Sequence, residues 1–196
     1  MVDRMSERED EWLLGRIQEG DHEAFAALVH RHTKRFYGLA YRLVQQREDA
    51  EDIVQAAFIK LWERPERWDQ GHQTRFTTWF YTVVTHLCLD HNKRKKPLPL
   101  PEEMEVVDHR PTQEERIDQH QRRVVIEGLI RELPERQRLA FTLCFYEGLS
   151  NREAAEIVGV KVKALQSLIM RAKTALKEKL TAVQMRMPYD DGHCTV

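Results

Sequence analysis

Between Lys163 and Lys173 the chain gathers residue types that can read and hold DNA: Lys163, Gln166, Ser167, Met170, Arg171 and Lys173. Side chains near the start of a recognition helix reach base edges in the major groove, while lysines and arginines hold phosphates. By that geometry Lys163, Gln166 and Ser167 are base-reading candidates, Arg171 and Lys173 are phosphate ligands, and Met170 lies on the same outward side. This chemistry is recognition without bond making.

A second group lies well upstream. Arg75-Phe76-Thr77-Thr78-Trp79-Phe80-Tyr81 leads into His86, His91 and Asn92, then Lys93 and Arg94. Aromatic rings beside a cationic surface suit single-stranded DNA: bases stack on rings for about 1–3 kcal/mol each, and cations follow the backbone. Extruding a base costs a few kcal/mol, which one or two stacked rings and a shaped pocket can offset. Phe76 and Phe80 are assigned to the core. Trp79 and Tyr81 cannot face the same way on a helix, so Tyr81 is expected outside the core. Arg75, Trp79, Tyr81, His86, Asn92, Lys93 and Arg94 are the nucleic-acid candidates of this segment.

The elements that must position these groups are helices. Ser150 and Glu153 have the spacing of a capping box, Ala154 and Ala155 allow close helix crossing, and Gly159 can turn the chain with positive φ. Leu165, Ile169, Ala172 and Leu176 recur at helical steps and form the buried stripe of the second helix, leaving the DNA candidates largely off it. Upstream, Asp10 to Gln18 reads as a first amphipathic helix. Asp21 caps a helix carrying Phe25, Leu28 and Val29, and a third apolar stripe holds Phe36, Leu39, Ala40, Leu43 and Val44. The acids of Arg47–Asp52 open a helix carrying Ile53, Val54, Ala57, Phe58, Leu61 and Trp62, with Pro65 at or just beyond its end. Residues 64–75 read as a polar loop, and a long helix is expected from Phe76 to about Lys95.

Lys96-Pro97-Leu98-Pro99-Leu100-Pro101 forbids a continuous helix. The expected organisation is therefore all-α: a module over 1–96, a linker over 97–118, a helix-turn-helix module over 119–187, and a disordered tail over 188–196. Charge follows these divisions, being balanced over the first, acidic through the connector and basic in the helix-turn-helix, although the whole chain carries only −1.

Other chemistries find little support. His30 and His32 stand two apart, and His86 and His91 five apart, so neither pair has the i,i+4 spacing of two ligands on one helical face. No glycine-rich phosphate loop or nucleophile–base pair is recognisable, so neither catalytic residues nor metal ligands nor cofactors are expected. Cys88, Cys144 and Cys194 are odd in number and scattered, which suits a reducing, cytoplasmic setting. No apolar run reaches the roughly 18 residues of a membrane helix.

Taken in order, the segments resemble those of the extracytoplasmic-function (group IV) RNA polymerase sigma factors of the sigma-70 family. Asp49 to Trp62 resembles the family's core-polymerase-binding segment. Phe76 to Val84, leading to Leu89-Asp90-His91, resembles its promoter-melting and minus-ten helix, and Leu133 to Leu180 resembles region four, which binds the minus-thirty-five element. The resemblance implies an alternative sigma factor of two helical domains without catalysis of its own. Its partners would be core RNA polymerase, promoter DNA (duplex upstream, melted downstream) and an anti-sigma factor. It further implies polymerase contacts at Asp49, Asp52, Gln55 and Trp62, with Phe58 and Leu61 in the core. Where the family's recognition helix commonly reads Val-Lys-Ser-Arg, this chain has Leu165-Gln166-Ser167-Leu168, so two cationic positions become neutral.

Overall fold

A computed structural model describes residues 2–68, 75–94 and 125–186, which fold as helices and short turns with no strand among them. The first module holds α1 (Val2–Gln18), α2 (His22–Val44), α3 (Arg47–Glu63) and α4 (Phe76–Arg94). The second holds α5, described over 125–131, then α6 (Glu135–Phe141), α7 (Asn151–Val158) and α8 (Val162–Arg186). The proposed linker 97–118 and tail 188–196 lie outside the described residues, as do His193 and Cys194.

Local signals set several ends. The Asp21 carboxylate accepts from the amides of Glu23 (2.9 Å) and Ala24 (3.1 Å), satisfying donors that an α-helix start leaves unpaired. The Ala24 amide is the main reason the Asp21 carboxyl sits below its ordinary range, and Arg16 adds to it. Pro65 falls beyond α3 and opens a 3-10 turn, Pro65–Arg67.

Three expectations about the first module need correction. Its first helix starts well before Asp10. The second and third apolar stripes belong to one helix, because no proline or cap interrupts 30–35 and buried His32 bridges Leu28 to Phe36 on one face. Residues 64–75 are not simply a polar loop: Trp68 is buried, its ring edge-on to Phe76 at 6.2 Å.

Phe36 lies near the centre of the first module, with ring centroids 4.7 Å from Phe80 and 5.0 Å from Tyr81. Phe58 adds a ring 4.8 Å from Phe80. Such offset and edge contacts add to area burial. Buried residues of α6, α7 and α8 and of the π-helical turn Thr142–Tyr146, among them Leu139, Leu143, Ile157 and Leu165, join this same core, so the two modules are packed together rather than held apart. Ile130, Leu133 and Ala172 form a smaller cluster under α5.

Candidate nucleic-acid interfaces

The helix-turn-helix is built by its sequence signals. Ser150 Oγ accepts from the Glu153 amide at 3.3 Å, and the Glu153 carboxylate accepts from the Ser150 amide at 2.9 Å, completing a reciprocal capping box. The Ser150 hydroxyl also donates to that carboxylate and is the main reason its pKa lies below the ordinary value; the Arg75 charge lowers it further. Gly159 turns the chain at φ 70°, a left-handed conformation that a side chain would disfavour. Ala154 and Ala155 are buried in one core with Leu165 and Ile169 of α8.

The opposite side of α8 is open. Lys163, Gln166, Ser167, Met170, Arg171 and Lys173 are all exposed, and Met170 keeps 64% of its surface in solvent. Two are already engaged within the chain: Ser167 donates to the Lys163 carbonyl at 3.0 Å, and the Lys173 ammonium sits 4.7 Å from the Phe145 ring centroid. That ring in turn stacks on Phe141. Leu168 is partly buried against the core and acts as packing. Lys161, which opens the basic segment of the sequence but is not among its DNA candidates, is exposed just before the first turn of α8.

Helix α4 is a different case. Arg75, His86, Lys93 and Arg94 are exposed, and Trp79 is half-buried. Tyr81, expected outside the core, is fully buried. The reason is tertiary: α7 and the turn before it lie across this face, and the Tyr81 hydroxyl donates to Glu147 at 2.6 Å while accepting from Arg35. Burial, and then the adjacent Glu147 carboxylate, pushes this phenol above its usual range. Asn92 is half-buried as well, donating to the Leu43 carbonyl (3.3 Å) and to Glu135 (2.8 Å).

On α3, Asp52 and Gln55 are exposed. Trp62 is half-buried, its ring 4.5 Å from His22 and 5.1 Å from Phe25. Asp49 is half-buried with an oxygen 3.1 Å from His91 Nε2. Phe58 and Leu61 are core, as expected. Sequence reasoning missed Ile59, a large apolar side chain 48% exposed. Its signal was spacing: 52, 55, 59 and 62 follow steps of three and four along one helical face.

Among the described residues no group of histidine, cysteine or carboxylate side chains could hold a metal ion, and no helix is long and apolar enough to cross a membrane. Buried Cys88 has its thiol pushed up to about 12 by burial, far from a reactive thiolate.

An all-helical pair of modules with a capped helix-turn-helix defines a DNA-binding protein. Sigma-70 region 2 matches residues 28–97 and Sigma-70 region 4 matches residues 123–176. The ECF sigma-E factor of Haemophilus influenzae is 30% identical over 183 residues, spanning 87% of this chain and 95% of its own. The ECF sigma factor SigW of Bacillus subtilis is 29% identical over 175 residues, spanning 84% and 92%. The chain belongs to the ECF RNA polymerase sigma factor family, whose members regulate transcription. Its fold is that of CnrH, solved in complex with the cytosolic domain of CnrY (TM-score 0.66, 22% identity, 89% of this chain and 98% of that one). It is also that of RpoE from Bartonella quintana, solved with the anti-sigma factor NepR (TM-score 0.63, 18% identity, 80% and 96%).

Proposed function

We propose that the protein docks on core RNA polymerase and directs it to a promoter read at two places. The observation that carries this reading is the open face of α8, where Lys163, Gln166, Ser167 and Met170 project from a capped and packed helix-turn-helix. In this reading Gln166 and its neighbours read the upstream duplex, and Arg171 and Lys173 hold phosphates. Trp79, Tyr81 and His86 meet the melted downstream strand, with Arg75, Asn92, Lys93 and Arg94 along its backbone. Asp49, Asp52, Gln55, Ile59 and Trp62 face polymerase. The modules are assigned to 1–96 and 119–187, joined by 97–118, with 188–196 as a tail. The protein performs no reaction itself, needs no cofactor and works in the cytoplasm.

An anti-sigma factor is the proposed regulator, because both structural relatives above were solved with a bound protein and one of these is named an anti-sigma factor. Run-off transcription with purified core polymerase tests the reading. Start-site-specific transcripts that require this chain are expected, and folded protein that directs polymerase to no start site would refute it.

A further inference from the structure

Phe145 keeps 50% of its surface in solvent, and the Lys173 ammonium lies 4.7 Å from its ring centroid. The ring is carried by the π-helical turn Thr142–Tyr146. The closing bond of that turn runs from the Glu147 amide to the Thr142 carbonyl at 3.1 Å, one residue further than in an α-helix. Within it Thr142 and Leu143 are buried while Phe145 stays exposed.

Single exposed apolar side chains are common and need no explanation. What sets this one apart is how the pair is held. Phe145 stacks on Phe141, with ring centroids 4.6 Å apart. Phe141 packs against the small cluster of Ile130, Leu133 and Ala172, and fully buried Ala172 is the neighbour of Lys173 on α8. Ring and ammonium are therefore tied to the same cluster.

An exposed lysine has many rotamers, and gripping a phosphate costs it that freedom. An aromatic face attracts an ammonium without supplying a charged oxygen, so the N–H donors remain available to phosphate oxygens. Lys179, by contrast, gives its ammonium to the Glu132 carboxylate. Among the described residues no carboxylate pairs with Lys173. We propose that Phe145 is a positioning residue for duplex DNA: its ring holds the Lys173 ammonium in place for a phosphate of the upstream element, adding affinity without adding sequence preference. The inference rests on reading α8 as the duplex-binding helix.

The test uses the full chain and the labelled duplex that the parent selects from a randomised library. Phe145→Leu should weaken binding about two- to fivefold, the effect of an exposed cation–ring contact, and equally on single-base variants of that duplex. Phe145→Met takes its place if that variant does not fold. Phe145→Tyr keeps the ring face and should bind as the parent does. Lys173→Gln should lower the slope of log affinity against log salt by about 0.9, the loss of one phosphate contact. In the Lys173→Gln background, Phe145→Leu should change nothing further. Equal losses from Phe145→Leu in both backgrounds, or none in either, overturn the positioning role and leave α8 as the duplex-binding helix. Weaker holoenzyme formation with unchanged duplex binding would make Phe145 a polymerase contact, which overturns the role as well. A folded parent that selects no duplex removes the reading of α8 and this inference together.

Discussion

Helices α4 and α8 carry similar chemistry and meet opposite fates in the free chain. Both present cations and uncharged hydrogen-bonding groups in sequence. On α8 these stay in solvent, because the helix buries only the stripe of Leu165, Ile169 and Ala172. Helix α4 buries two faces: Phe76 and Phe80 pack into its own bundle, while Tyr81 and Asn92 bond to side chains of the second module. Periodicity describes how a helix meets its nearest neighbours. It does not report a second module arriving from beyond a proline-rich connector.

The most severe way to break this comparison is to remove the ring shared by both faces of α4. Phe36 touches Phe80 on one side and Tyr81 on the other. Phe36→Ala should destabilise the chain by about 3–5 kcal/mol, the usual cost of deleting a buried aromatic ring. Denaturant unfolding measures it. A loss below about 1 kcal/mol would mean that this cluster is not the centre of the fold.

Trp62→Ala tests a third surface that belongs to neither helix. Here exposed Ile59 and half-buried Trp62 share one face of α3 with Asp52 and Gln55. Truncating such an aromatic anchor at an interface typically costs about 2 kcal/mol or more. Holoenzyme formation should weaken while promoter sequence preference stays as it was. Normal yields from folded Trp62→Ala protein would remove Trp62 from the interface.

Much of this was legible in residue types and spacing. The capping box at Ser150–Glu153, the glycine turn and the α8 stripe are local devices whose partners lie within a few residues, and each is present in the fold. Asp21 as a helix cap is of the same kind. What could not be read depends on distant partners. Trp68 is buried because Phe76 covers it, and Tyr81 is buried because Glu147, 66 residues away, closes over it. The two apolar stripes on either side of the polar run 30–35 are one helix face, because buried His32, with its Nε2 2.8 Å from Asp10, keeps that face continuous. Ile59 was missed for the converse reason: an apolar residue in an apolar helix suggests packing until its neighbours are known.

On the open helix, Gln166 sharpens the comparison by asking whether exposure translates into reading. A good two-bond contact between a side chain and a base discriminates by about 1–3 kcal/mol. Replacing Gln166 should therefore change the preferred base at one or two positions of the upstream element, measured by binding to a library of duplex variants. Unchanged preference at every position would leave α8 as a phosphate-holding helix only.

The smallest expected effect concerns the cap that holds α7 between the two helices. Ser150→Ala removes the acceptor for the Glu153 amide and the hydroxyl that donates to its carboxylate, and should cost about 1 kcal/mol. The same device carries a pH signature. Because folding lowers the Glu153 pKa below its ordinary value of 4.5, its ionised form is favoured in the folded chain. Its stabilisation is complete above that ordinary value and is lost as the pH falls through the lower folded value. Ser150→Ala removes the main cause of that shift, so the stability gap between parent and variant should narrow in acid. Thermal melting of both proteins from neutral pH downward measures the gap. A gap that stays constant throughout would show that the serine side chain acts through its bond to the amide alone, leaving the Ser150 amide and Arg75, just before the covered helix, to lower Glu153.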